Sequence, residues 1–99
     1  RPHFHISLVR DVSPCCDCHA ENDIPIIPDV GMFASFDPVA LDLACAEACM
    51  KMPRTADYTF EGNTGDLFTD FHPVTNWRAQ IDHGKKIGLG TDEYDLIEI

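Results

Sequence analysis

Apolar and polar positions alternate from the third residue of this chain. In "HFHISLVRDV" (residues 3–12), Phe4, Ile6 and Leu8 fall on one side and His3, His5 and Ser7 on the other. That period of two predicts a strand with one buried face, and Ser13-Pro14 ends it. An irregular stretch follows through Pro28, in which the prolines around Ile26-Ile27 allow an extended segment at most. "DVGMFASF" (29–36) reads as a short buried strand carrying Val30, Met32, Phe33 and Phe36. Asp37-Pro38 then predicts a helix start, with Asp as N-cap and Pro at the first helical position, where its missing N–H costs nothing. The helix is expected to run to about Lys51, with Pro53 beyond it.

Residues 53–72 show little periodicity and read as a loop with a turn at Gly62, Asn63 and Gly65. A second helix is expected from Asn76 to Ile87, capped by Thr75 or Asn76 and stopped by Gly88 and Gly90, with Trp77 in the core. The closing "EYDLIEI" alternates again and reads as a terminal strand. The predicted fold is α/β: a small sheet of about three strands with two packed helices, a fragment of a larger α/β domain. The opening Arg-Pro-His-Phe, without an initiator methionine, supports that expectation.

Composition narrows the partners. The 99 residues suit one small domain, and a 44% hydrophobic content says globular. No apolar run is long enough to span a membrane and no signal peptide is visible. Seven basic against seventeen acidic residues give a net charge of −10, which repels phosphate backbones and argues against nucleic acid. Five cysteines without a secretory signal point to reduced thiols in the cytoplasm.

The densest chemistry is "SPCCDCHAEND" (13–23), where Cys15, Cys16, Cys18 and His19 fall within five positions past a strand end. Thiolates and imidazole bind zinc, iron and iron–sulfur clusters, and the C-x-C spacing lets both sulfurs reach one metal. His5, on the polar side of the first strand, is a further candidate ligand. Free structural thiols and a nucleophilic cysteine remain the alternatives. On the first helix, Asp42 lies roughly 140–180° from Glu47 and Lys51 and shares its side with Cys45 and Cys49. An acid on the apolar side must be hydrogen-bonded or line a ligand pocket, so Asp42 is a candidate cofactor-binding residue. Cys45 and Cys49 read as small core residues. His72 is expected to anchor the second helix and His83 to be exposed.

Three segments, "CDCHAENDIPIIPDVGMFASFDPVALD", "HPVTNW" and "IGLGTDEYDLIEI", together resemble the C-terminal part of domain-of-unknown-function family 362, whose members are described as iron–sulfur-centre or ferredoxin-like proteins. The resemblance covers nearly the whole chain except about 53–70. It implies a prokaryotic, cytoplasmic protein with a redox association, whose longer relatives carry a ferredoxin-type module upstream. The upstream part of its own chain is then the expected partner. Cys16 and Cys18 match the family's CDC segment, and Asp37 and Asp42 its D-P-V-A-x-D segment. Neither residues nor resemblance identify a reaction, so whether the protein is an enzyme stays open. A small-ligand enzyme domain using Asp42 and the cysteine loop, and a docking domain without metal, are the competing readings.

Overall fold

A computed structural model of the chain describes residues 3–15, 20, 24–54 and 66–98. Its elements are β1 (His5–Val9), β2 (Gly31–Ser35), α1 (Pro38–Lys51), α2 (Leu67–Phe71) and α3 (Arg78–Lys86), a mixed α/β arrangement as expected. β1 and β2 pair antiparallel, with His5 opposite Ser35 and Val9 opposite Gly31. Beyond the ladder the connection keeps to β1: the Val30 N–H donates to the Val9 carbonyl at 3.0 Å and the Ile26 N–H to the Val12 carbonyl at 2.7 Å.

α1 begins where the Asp-Pro signal places it. The Oδ1 of Asp37 accepts the N–H groups of Val39 (3.0 Å) and Ala40 (3.1 Å), filling the role of N-cap. Its Oδ2 accepts the N–H and the hydroxyl of Thr91, at 2.8 and 2.9 Å. One carboxylate thus starts the helix and clasps a segment 54 positions later. α3 is shorter than expected. The Thr75 hydroxyl donates to the His72 carbonyl rather than capping, and Trp77 at the N-cap makes no capping bond with its side chain. Its C-terminal end follows expectation: Gly88 sits at φ 78°, while the Leu89 N–H bonds back to the Gly84 carbonyl. A left-handed exit of this kind suits glycine because no Cβ opposes it.

Two apolar clusters flank α1. Ile26, Ile27, Cys49 and Leu67 form one, and Val39, Leu43 and Ile81, with Trp77 against them, form the other. The "IPIIP" stretch therefore supplies some of the most buried side chains, Ile26 at 2% and Ile27 at 1% exposure. Burying each contributes about 1.5–3 kcal/mol. Gly84 lies buried where α3 meets α1, and a Cβ there would stand 2.8 Å from Val39 Cγ2.

Four expectations are corrected. The sheet has two strands among the described residues, not three, because residues 91–98 pair with neither strand; side chains tether them instead. The supposed loop at 53–72 contains α2, capped by Asp66, whose side chain accepts the Thr69 N–H; five residues are too few to show a helical period. The buried face of β1 is the opposite one. Phe4, Ile6 and Leu8 are 54–62% exposed, whereas His5, Ser7 and Val9 are half-buried on the side of α1. Nor is β2 a buried strand, since Met32 and Phe36 stand about 70% and 69% exposed; Phe33, opposite Ser7, is partly covered. Alternation defines two faces but not which one the helix takes.

Replacing Asp37 by Ala is expected to cost about 0.5–2 kcal/mol from the cap alone, and to speed hydrogen exchange at the Thr91 amide. Urea denaturation and exchange spectra check both. Burial by itself raises the Asp37 carboxyl, but bonds from Ala40, Thr91 and Val39 outweigh it and hold it below the ordinary 3.8. A depressed folded value means this stabilisation is complete above about pH 3.8 and is lost as pH falls from there through the folded value. The Asp37→Ala variant is expected to lose that pH dependence. Gly90→Ala, whose Cβ would run into the Asp37 carboxylate, is expected to loosen the same clasp with the charge intact.

Candidate functional site: the cysteine segment and the cavity beside it

The chain leaves β1 through a pinned turn. Asp11 sits at φ 50°, and its N–H donates to the Asp29 carboxylate at 2.9 Å. The Ser13 hydroxyl donates to the Asp11 carbonyl at 2.9 Å. Nε2 of His72 lies 2.6 Å from the Pro14 carbonyl, so this nitrogen carries the proton and donates, across 58 positions of sequence. Cys15 follows immediately. It is half-buried and lines a cavity of about 390 Å³ with Ile26, Phe68, Phe71, His72 and Trp77. The size is within the range of small-molecule sites, and the walls are mainly apolar.

α2 builds the far wall. Asp66, its N-cap, accepts the Trp77 indole N–H at 3.0 and 3.1 Å, and the Phe68 and Trp77 rings meet edge to face with centroids 5.9 Å apart. On the other side of the short helix, the buried Asp70 accepts from Arg54 at 2.8 Å, and the same guanidinium lies 5.8 Å from the Phe71 ring centroid. Sequence reading missed Asp66, Phe68 and Phe71. The signal was the run "DLFTDF", an Asp cap before apolar positions, hidden by its shortness.

Of the residues expected to carry chemistry, Cys16, Cys18 and His19 lie outside the described residues. Cys15 reaches the cavity. His5 stands at the opposite end of β1 from it, with its Nε2 2.6 Å from Nδ1 of His3. Among the described residues no three His, Cys, Asp or Glu side chains converge to hold a metal. Asp42 is exposed and does not line the cavity, which corrects its placement on the buried side of α1. Val39, Ala40, Leu41, Leu43 and Ala44 are all buried around it, so the first half of this helix is covered on nearly every side and Asp42 occupies the gap.

Cys49 is buried in the core, as expected. Cys45 is half-buried beneath β1, where it meets the Ser7 hydroxyl. Burial pushes both thiols up. The charge of Asp42 adds to this at Cys45, where the Ser7 bond opposes it; Cys45 itself adds to it at Cys49. A raised value keeps a thiol protonated, and the protonated form is neither nucleophile nor ligand. His83 is exposed, also as expected.

The strand pair and the helices packed on it define a small mixed α/β domain. Residues 2–47 match the model of the family described as Domain of unknown function (DUF362). The match takes in β1, the cysteine segment, β2 and most of α1; "HPVTNW" and "IGLGTDEYDLIEI" lie beyond it. No curated protein and no solved structure matches the chain. No helix among the described residues is long and apolar enough to cross a membrane.

Iodoacetamide applied to the native protein at mildly alkaline pH is expected to leave Cys49 unmodified and Cys45 slow, with both reacting fully once urea unfolds the chain. Peptide mapping by mass spectrometry reads the outcome.

Proposed function

We propose that this protein binds a metal ion through its cysteine segment, with Cys16 and Cys18 as thiolate ligands and Cys15 and His19 completing the set, in a redox or electron-transfer setting. The observation that carries the reading is the position of Cys15. It follows a turn fixed by Asp29 and His72 and borders an apolar cavity, so one donor of the segment stands on a pinned base beside a low-dielectric wall. Such surroundings strengthen electrostatic interactions and restrict water, two of the means by which a protein tunes a metal.

Three sulfurs and one imidazole suit a four-coordinate zinc or iron centre. An iron–sulfur cluster held by four cysteines needs a fourth sulfur from elsewhere, and neither α1 cysteine favours that role, Cys49 being packed in the core and Cys45 set beneath β1 against Ser7. A closed set of four protein ligands makes the metal structural; one open position gives it chemistry. The redox setting rests on the family resemblance and the softness of the donors. Its expected partner is a ferredoxin-type module in the upstream part of a longer chain.

The test is metal analysis of anaerobically purified protein. About one zinc or iron per chain is expected in the wild type and in Cys45→Ser and Cys49→Ser variants, and none in Cys16→Ser/Cys18→Ser. Cobalt(II) added to the metal-free wild type is expected to give thiolate charge-transfer absorption that the double variant lacks. Wild-type protein that carries no metal and takes up no cobalt would refute the proposal.

A further inference from the structure

A second recess lies away from the cysteine segment and has no part in the metal proposal. Among the described residues β2 pairs with β1 along one edge only, and the unbroken run Val30 to Ala34 lines a groove of about 830 Å³ along the other. Ala44 and Ala48 of α1 contribute to its inner side, and the extended residues 94–98 contribute to another. The Tyr94 hydroxyl donates to the Glu47 carboxylate at 2.7 Å, tethering that extended segment to α1. No backbone hydrogen bond joins residues 94–98 to β2 among the described residues.

An unpaired strand edge presents a row of N–H and C=O groups, a template on which an extended chain can add a strand. The side chains around this edge favour such an addition. Ile6 and Met32, which line the groove, are 62% and 70% exposed, and they belong to an outer sheet face that continues through Phe4, Leu8 and Phe36 without a charge. The charged residues lining the groove are Glu47, Asp95 and Glu98 against Lys51 alone, in a chain of net charge −10.

We propose that this groove docks an extended segment of a partner protein, added as a strand on the free edge of β2, in which apolar residues alternate with Lys or Arg. On one side of the added strand, side chains extend the apolar face of Ile6 and Met32. On the other they reach the two alanines of α1, because successive residues of a strand point to opposite faces. The basic residues answer Glu47, Asp95 and Glu98. A second copy of this chain fits the charge poorly, since it would bring one acidic surface against another.

Assigned amide spectra of the full chain, titrated with a short peptide of alternating valine and lysine and separately with one of alternating valine and glutamate, test the proposal. The lysine peptide is expected to shift the amides from Val30 to Ser35, slow their exchange and bind more weakly as salt is added. The double variant Asp95→Asn/Glu98→Gln, both positions exposed, is expected to weaken that binding about five- to tenfold with the fold unchanged. Equal binding of both peptides, or shifts from neither, would overturn the proposal. Strand contacts between residues 94–98 and β2 in the free protein would overturn it too, by giving the edge to the chain's own segment. Concentration-dependent association through the same amides would assign the edge to a second copy.

Discussion

The carboxylate of Asp37 is the contact on which the arrangement of this chain most depends. Its two oxygens serve different elements, one closing the first turn of α1 and the other holding the N–H and hydroxyl of Thr91. The backbone N–H of Asp37 in turn donates to the Ser35 hydroxyl at the end of β2. The end of β2, the start of α1 and the segment after α3 therefore converge on one residue. Gly90 completes the junction, since any side chain there would occupy the space of the carboxylate. Four hydrogen bonds to an ionised group outweigh its partial burial, so the junction is stable because it is charged.

Once its start is fixed, α1 becomes a wall shared by the rest of the molecule. Cys49 joins Ile26, Ile27 and Leu67 on the side that supports the turn before Cys15 and its cavity, while Val39 and Leu43 meet Ile81 of α3. Ala44 and Ala48 border the groove beside β2, and Cys45 meets Ser7 of β1. A helix with so many neighbours cannot keep a clean polar face. It uses small residues where elements approach closely, and its charged side chains occupy what gaps remain, as Asp42 does.

The features legible in the sequence were those set by local chemistry. Asp37-Pro38 and Pro53 bracket α1 through a local side-chain cap and proline geometry, and Gly88 ends α3 through its left-handed φ. The apolar character of Cys49 was legible for a similar reason, since a thiol one helical turn from another in an alanine-rich stretch is core material more often than ligand. The features that were not legible depend on distant partners. α2 owes its definition to Asp66, which caps it and holds Trp77 eleven positions on. The alternation at 93–99 is real, but a strand exists only when an edge accepts it, and side-chain bonds to Asp37 and Glu47 hold the segment off. The cavity beside Cys15 joins residues from 12 to 77 in sequence, and no local pattern reports such an assembly.

The reversed sheet carries the deepest consequence. In β1 the polar alternate residues turn toward α1, where Ser7 finds the Cys45 thiol, and the apolar ones turn away. Each large apolar side chain left in water forgoes about 1.5–3 kcal/mol of burial. Phe4, Ile6, Leu8, Met32 and Phe36 do so together on one face, with the Phe4 and Phe36 rings in contact at 4.9 Å between centroids. A contiguous apolar surface of this kind, bordered by acids, marks an interaction site more often than an accident of packing. The amphipathic pattern of β1 is then explained by what the sheet presents rather than by what it encloses. The acidic excess has a matching role: it repels further copies of the same chain from a face that hydrophobic attraction alone would drive them to share.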